Sequence, residues 1–249
     1  MSMKVLGVIP ARMGSTRFYG KPLALILGKP MIEHVYNQCK KCEKLDDVII
    51  ATDSQKIYDV CKSLNTNVIM TSSSHETGLD RIIEVSKNKN QYSHYINIQG
   101  DEPLIDKQTI NNVINNFMIH SDCQISTAAV PFKSEVDFTN INQVKVLLDK
   151  NYKALYFSRS PIPYFRDNSY SIPKNTLKHQ GIYGYTQEIL KKIQKLKVCD
   201  LEKIEGLEQL RFLFNGISIY VAICQKDSIG VDVKEDIIRV EELLKKGTN

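Results

Sequence analysis

Apolar positions along the chain fall into short continuous runs separated by longer amphipathic stretches. Residues 5–10 form an apolar run that reads as a buried strand, followed by a polar loop containing glycine. Residues 31–42 carry helical spacing after Pro30, 48–52 read as a second strand, and 54–64 as a helix that Ser54 caps. Residues 68–71 are strand-like, 80–87 helical and 95–99 strand-like again, and Asp106 opens a helix reaching about residue 120. Strands and helices in this order imply a mostly parallel sheet with helices on both faces.

Beyond residue 124 the rhythm changes. Residues 125–131, 144–148, 154–158 and 179–185 are strand candidates with short connections, and 168–176 form a polar, proline-bearing loop. Alternation then returns, with a helix around 207–214, a strand at 219–224 and an amphipathic helix at 234–246. No internal repeat or low-complexity linker interrupts the chain. The pattern predicts an α/β fold, a single Rossmann-like domain over residues 1–249 that carries a small strand-rich lobe inserted at about 124–205.

Composition narrows this picture modestly. A length of 249 residues with 42% apolar content suits one large α/β domain with a modest inserted lobe. No stretch approaches the roughly 18 apolar residues of a membrane helix, so no membrane insertion is expected. Met1, Ser2, Met3 and Lys4 lead directly into a strand pattern, and a cytoplasmic protein is expected. The six cysteines are scattered; Cys39 and Cys42 form a C-x-x-C without a second pair, which predicts reduced structural thiols. The net charge of +5 comes without tryptophan or a long basic run, which argues against nucleic acid. Small anionic substrates account for the surplus equally well.

The first loop, residues 10–23, holds the most chemistry. It follows the first strand of an α/β sheet, where ligands commonly bind beyond the strand C-termini. Gly14 and Gly20 let the backbone approach phosphate oxygens, Ser15 and Thr16 add donors, and Arg12, Arg17 and Lys21 add positive charge. The order is not a Walker loop, which fails at Lys21-Pro22, and G-x-G-x-x-G is absent. An anion-binding loop is predicted. A second signal is the strand ending in Gly100-Asp101-Glu102-Pro103, which puts a carboxylate at the sheet's C-terminal edge. A divalent ion shared with nucleotide phosphate is the usual chemistry there, although Asp101 could instead cap the next helix. Asp232, after Gly230, offers a second carboxylate or a plain helix cap. Arg81 by chemistry alone is a surface helix arginine. Arg159 ends a strand ahead of Pro161 and Pro163, and a fixed guanidinium suits a carboxylate. His34, His75, His94 and His120 show no metal-ligand spacing.

The opening string Ile9-Pro10-Ala11-Arg12, Gly14-Ser15-Thr16-Arg17 and Gly20-Lys21-Pro22-Leu23 resembles that of 3-deoxy-manno-octulosonate (Kdo) cytidylyltransferases and, more loosely, of CMP-sialate synthetases. The resemblance continues in order through Ala51-Thr52-Asp53, Gly78-Leu79-Asp80-Arg81, the Asn97 to Pro103 stretch and Ala154 to Arg159. It ends with His179 to Tyr185, Leu207-Glu208-Gln209-Leu210-Arg211 and Gly230-Val231-Asp232. It implies a nucleotidyltransferase-type fold and transfer of CMP from CTP to Kdo for lipopolysaccharide biosynthesis, in a cytoplasmic homodimer. It makes Asp101 and Asp232 the ligands of Mg2+, and Arg12 and Lys21 catalytic alongside them. Ala11, Arg12, Gly14, Ser15, Lys21, Arg81 and Gln99 would hold CTP. Arg159, His179, Tyr183, Glu208 and Gln209 would hold the sugar acid. His179 and Tyr183 are four apart, so on a regular strand they face one side.

Thr77 and Leu79 depart from the family's Ser-Gly-Thr pattern, and Leu79 lacks the hydroxyl expected there. Other acceptors stay open, namely 8-amino-Kdo or a sialate. So do a sugar-1-phosphate nucleotidyltransferase, a metal-dependent glycosyltransferase, and a catalytically inactive nucleotide-binding protein. The absence of an Asp-x-Asp argues against the glycosyltransferase, and the intact Arg12, Lys21, Asp101 and Asp232 against the inactive protein.

Overall fold

The computed structural model describes residues 3–14, 18–166 and 172–246. The chain forms two compact units, Met1–Asn111 with Ser228–Asn249, and Asn112–Asp227.

The first unit begins with β1 (Val5–Ala11), buried at every position except Pro10. A strand covered on both faces must be apolar throughout, which is why this run was legible. After a 3-10 turn at Lys21–Leu23 comes a hairpin, β2 (Leu25–Ile26) and β3 (Lys29–Pro30). Leu27 and Gly28 turn it with positive φ values of 48° and 78°, as a two-residue primed turn requires. There follow α1 (Met31–Lys40), β4 (Asp47–Thr52), α2 (Gln55–Ser63), β5 (Val68–Met70), α3 (Gly78–Asn88) and β6 (His94–Asn97). The four long-range strands lie in the order β6-β1-β4-β5, all parallel, with Val8 opposite both Ile49 and Asn97. Helix α2 starts as predicted, its Ser54 hydroxyl accepting from the Ile57 amide. Helix α3 begins before the predicted residue 80. Thr77 accepts from the Asp80 amide while Asp80 accepts from the Thr77 amide, a closed capping box.

Helix α4 (Lys107–Ile119) carries the chain into the second unit. That unit holds β7 (Ile125–Pro131), α5 (Glu135–Thr139), β8 (Lys145–Leu148), β9 (Ala154–Ser158), β10 (Thr176–Thr186), α6 (Gln187–Ile193), α7 (Asp200–Glu205), α8 (Leu210–Phe214) and β11 (Tyr220–Ile223). Its strands run β11-β7-β10-β8-β9, antiparallel except for the β11–β7 pair. The α/β class with a parallel sheet and a strand-rich insertion is as predicted. Helices α5, α6 and α7 were not.

Helix α9 (Asp236–Lys246) returns to the first unit. Its Val240 is buried with Ile26, Met31 and Val231, and Phe18, Leu104 and Leu244 pack around them. Glu241 accepts from the Leu27 amide at 2.9 Å, tying the hairpin turn to this helix. This C-terminal segment thereby brings Asp232 to the same edge of the sheet as Lys21.

Candidate active site

A cleft of about 700 Å³ opens beyond the C-terminal ends of β1 and β6. Its walls are the loop after β1 (Ala11, Arg12, Gly14, Lys21), the start of α3 (Thr77, Gly78, Arg81) and the loop after β6 (Gln99, Gly100, Asp101). Six of the seven residues predicted to hold nucleotide line it; the seventh, Ser15, lies outside the described residues with Thr16 and Arg17. Gly100 is required by packing, because a Cβ there would sit 2.7 Å from the Pro10 carbonyl oxygen. That close approach holds the two loops together at the mouth of the cleft.

Lys21 leaves a tight turn. Gly20 adopts φ 70°, and its amide donates to the Met13 carbonyl at 3.0 Å, closing the loop. The Lys21 Nζ then reaches Asp101 Oδ2 at 2.5 Å and Asp232 Oδ1 at 3.9 Å. Backbone fixes this convergence, since the Val231 amide donates to the Asp101 carbonyl at 2.8 Å. Asp101 does not cap the following helix, which starts only at Lys107. Nor is Asp232 a cap; the amides of Asp232 and Val233 are instead taken by Asp236 Oδ2 at 2.8 and 3.0 Å. Two carboxylates therefore converge on one cation, and a divalent ion fits the same donor set. Among the described residues no group of three or more His, Cys, Asp or Glu could hold a metal unaided. Phosphate oxygens must complete such a shell, as is usual for a small hard ion.

Arg12 donates to the Glu76 carbonyl at 3.3 Å, which aims its guanidinium across the cleft toward the start of α3. Sequence reasoning missed Glu76, whose backbone rather than side chain makes the contact. Arg81 corrects an expectation. It is not a surface arginine but is 2% exposed, donating to Asp53 Oδ2 at 3.0 Å and to the Thr71 hydroxyl. The Asp53 of Ala51-Thr52-Asp53 thus has a role the sequence did not disclose, locking Arg81 at the ends of β4 and β5. Leu79 is 2% exposed and does not line the cleft, so its missing hydroxyl removes no contact there. All six cysteines are free and buried. Burial pushes the Cys39 and Cys42 thiols up, so neither is a ready nucleophile.

The residues predicted for the sugar acid lie in the second unit. Arg159, after β9, donates its Nε to the Glu205 carbonyl at 2.7 Å and Nη1 to the Ile141 carbonyl at 3.3 Å. Its amide donates to Glu205 Oε2 at 2.8 Å. Both of these side-chain bonds go to neutral carbonyls. His179 and Tyr183 do meet, with ring centroids 5.3 Å apart, but not by simple alternation. The β10 register slips between Gln180 and Tyr183, so that Gln180 pairs with Ala128 and Tyr183 with Thr127. Gln209 lies just before α8, which starts at Leu210, and its side chain makes no capping bond. The Gln209 amide nitrogen is buried without a hydrogen-bond partner among the described residues, and the buried Tyr183 hydroxyl lies beside that of Thr127. Glu208 accepts from Arg211 at 3.1 Å.

The His179 ring is enclosed by Phe157, Tyr183 and the Thr127 hydroxyl at 3.0 Å, and desolvation lowers its pKa to about 3. It therefore enters the site as a neutral hydrogen-bonding group. Unfolded, it titrates near its ordinary value of about 6.5, so the unfolded chain binds the extra proton as pH falls. Its stabilising contribution is full above that value and is lost as pH drops toward about 3. His94 is shifted the same way by desolvation. His179→Gln is expected to flatten the decline of Tm between about pH 7 and pH 5. An unchanged slope would show that the histidine is solvated.

The sequence profile of the family described as cytidylyltransferase matches residues 6–219. A 3-deoxy-manno-octulosonate cytidylyltransferase of Thermodesulfovibrio yellowstonii is 47% identical, over 97% of this chain and 98% of that one. A protein of the same description from Fusobacterium nucleatum is 44% identical over 98% of both. The solved structure of CMP:2-keto-3-deoxy-manno-octonic acid synthetase complexed with CTP superposes with a TM-score of 0.92 at 35% identity. It covers 98% of this chain and 99% of that one.

Proposed function

The chain belongs to the cytidylyltransferase family, and we propose that it transfers CMP from CTP to the anomeric hydroxyl of 3-deoxy-D-manno-octulosonate, giving CMP-Kdo and pyrophosphate. The observation that carries this reading is the convergence of Lys21, Asp101 and Asp232 at the mouth of a polar cleft. The relatives and the CTP-bound structure bear the same activity in their names.

The chemistry is an in-line displacement. The C2 hydroxyl of the sugar acid attacks the α-phosphorus of CTP; the new O–P bond forms as the bond to the bridging oxygen breaks, and pyrophosphate leaves. No covalent enzyme intermediate is needed, so the protein's task is positioning and charge neutralisation. Arg12 and Lys21 hold phosphate oxygens and stabilise the leaving group. Gly14 and the start of α3 bring backbone N–H groups to the same anion. Arg81, immobilised by Asp53, and Gln99 orient the nucleotide. Asp101 and Asp232 would hold Mg2+, which would supply Lewis-acid polarisation of the α-phosphate and ease ionisation of the sugar hydroxyl. Arg159 takes the substrate carboxylate, while His179, Tyr183 and Gln209 meet its hydroxyls.

Arg12 and Lys21 touch what every triphosphate shares. Lys21→Ala should weaken CTP on the order of tenfold without changing the preference for CTP over UTP. Competition kinetics with the two nucleotides measures both quantities. A changed base preference at unchanged triphosphate affinity would remove Lys21 from the phosphate loop.

Ordinary Kdo is taken as the acceptor because the relatives and the CTP-bound structure carry it in their names. Turnover with Kdo, 8-amino-Kdo and N-acetylneuraminate at equal concentration tests the acceptor. Kdo should be fastest, and faster turnover of either competitor overturns the acceptor while leaving cytidylyl transfer intact. We further propose a cytoplasmic homodimer, with the strand-rich lobe at about 124–205 serving sugar binding and dimerisation. Sedimentation of the purified protein tests its oligomeric state. No described helix is long and apolar enough to cross a membrane.

A further inference from the structure

Lys145, at the start of β8, is fully buried, at 0% exposure. Its Nζ donates to the Asn140 carbonyl and to the Arg159 carbonyl, each at 2.8 Å, and lies 6.0 Å from the centre of the Phe138 ring. It forms no ion pair among the described residues. A cation stripped of water and offered two neutral acceptors is costly, and an apolar side chain of similar length would fill the space more cheaply. One of its two bonds serves the fold, closing the C-terminus of α5 at Asn140; the other leads to Arg159.

Lys145 grips the carbonyl of Arg159, while Glu205 grips the amide of the same residue and its Nε. The second carboxylate oxygen of Glu205 accepts from the Ser158 hydroxyl at 2.6 Å, fixing the residue before it. Arg159 is thus held at both ends of its backbone and along its side chain. The Glu205 carboxylate is taken by the Ser158 hydroxyl and the Arg159 amide, while the charged heads of Lys145 and Arg159 bond neutral carbonyls. Desolvation pulls the Lys145 pKa down, Glu205 opposes it, and the nearby Arg159 adds to it, as expected of a cation placed beside another.

We infer that Lys145 is a positioning residue for sugar-acid recognition: it fixes the direction of the Arg159 guanidinium and leaves surplus positive charge behind it for the substrate carboxylate. This rests on the reading of Arg159 as the group that meets that carboxylate. It acts through Arg159 and touches no reacting atom.

A double-mutant cycle on the full-length enzyme tests it. Lys145→Met keeps the side-chain length and removes the charge. It should raise the KM for Kdo about tenfold, the scale of one charge-assisted hydrogen bond, with kcat and the KM for CTP within about twofold. Combined with Arg159→Ala, Lys145→Met should add nothing further to the KM for Kdo. Should Lys145→Met not fold, Lys145→Gln, which keeps an N–H but no charge, is read in the same cycle. An equal rise of KM in the Arg159→Ala background, an unchanged KM for Kdo, or a loss shared by both substrates together with a fall in Tm would overturn the inference. If Arg159→Ala itself leaves the KM for Kdo unchanged, the reading of Arg159 fails instead, and the two failures are distinguishable.

Discussion

Asp101→Asn should lower kcat by on the order of 10² or more while leaving the fold intact. The substitution is nearly isosteric, and it leaves Lys21 with Asp232, whose Oδ1 lies 3.9 Å away. The lost salt bridge is partly exposed, with the Asp101 side chain at 32%, so little stability goes with it. On the proposed mechanism, what disappears is one of the two charges that would hold the ion against the phosphates. Asp232→Asn should behave alike, and the double variant should be little worse than either single one, because both act on one ion. Steady-state turnover at saturating magnesium, alongside thermal melts, measures this. Near-normal activity of Asp101→Asn under those conditions would remove the residue from the mechanism.

The second large effect is expected at Arg159. Arg159→Ala should raise the apparent KM for the sugar acid with CTP binding almost unchanged. The expected loss is about 1.5–3 kcal/mol, roughly 10- to 150-fold, the range for hydrogen bonds to a charged group. The side chain also donates to the carbonyls of Glu205 and Ile141, so some loss of order in that loop accompanies the truncation. Separate titrations of Kdo and CTP distinguish the two effects. A comparable rise in both constants would mean that Arg159 only supports the fold.

The cleft of the first unit was legible because its parts follow strand ends. Buried parallel strands are continuous apolar runs, and the polar residues just after them, Arg12, Lys21 and Asp101, sit where such sheets bind ligands. Only the family resemblance joined Asp232 to them. The partnership rests on tertiary contacts between segments far apart in sequence, the Val231 amide on the Asp101 carbonyl and the packing of Val231 and Val240 on Ile26 and Met31. Arg81 looked superficial because helical spacing does not reveal that Asp53, at the end of another strand, is waiting for it. The second unit was harder to read. Helices α5, α6 and α7 have 5, 7 and 6 residues, too few for a 3.6-residue period to show, and α7 buries none of its residues. Glu205 sits at the end of that helix, and so both its hold on Arg159 and the one from Lys145 were out of reach of the sequence. The slipped register in β10 likewise left no signature that alternation could detect.

On the proposed function this cleft activates CTP for attack by a sugar acid rather than merely binding nucleotide. The most direct measurement is pyrophosphate release from CTP and magnesium, followed with and without Kdo and matched to CMP-Kdo formed. Release should depend on Kdo, equal the CMP-Kdo produced, and fall by on the order of 10² in Asp101→Asn. Pyrophosphate released at the same rate without Kdo, or none released with it, would contradict the account.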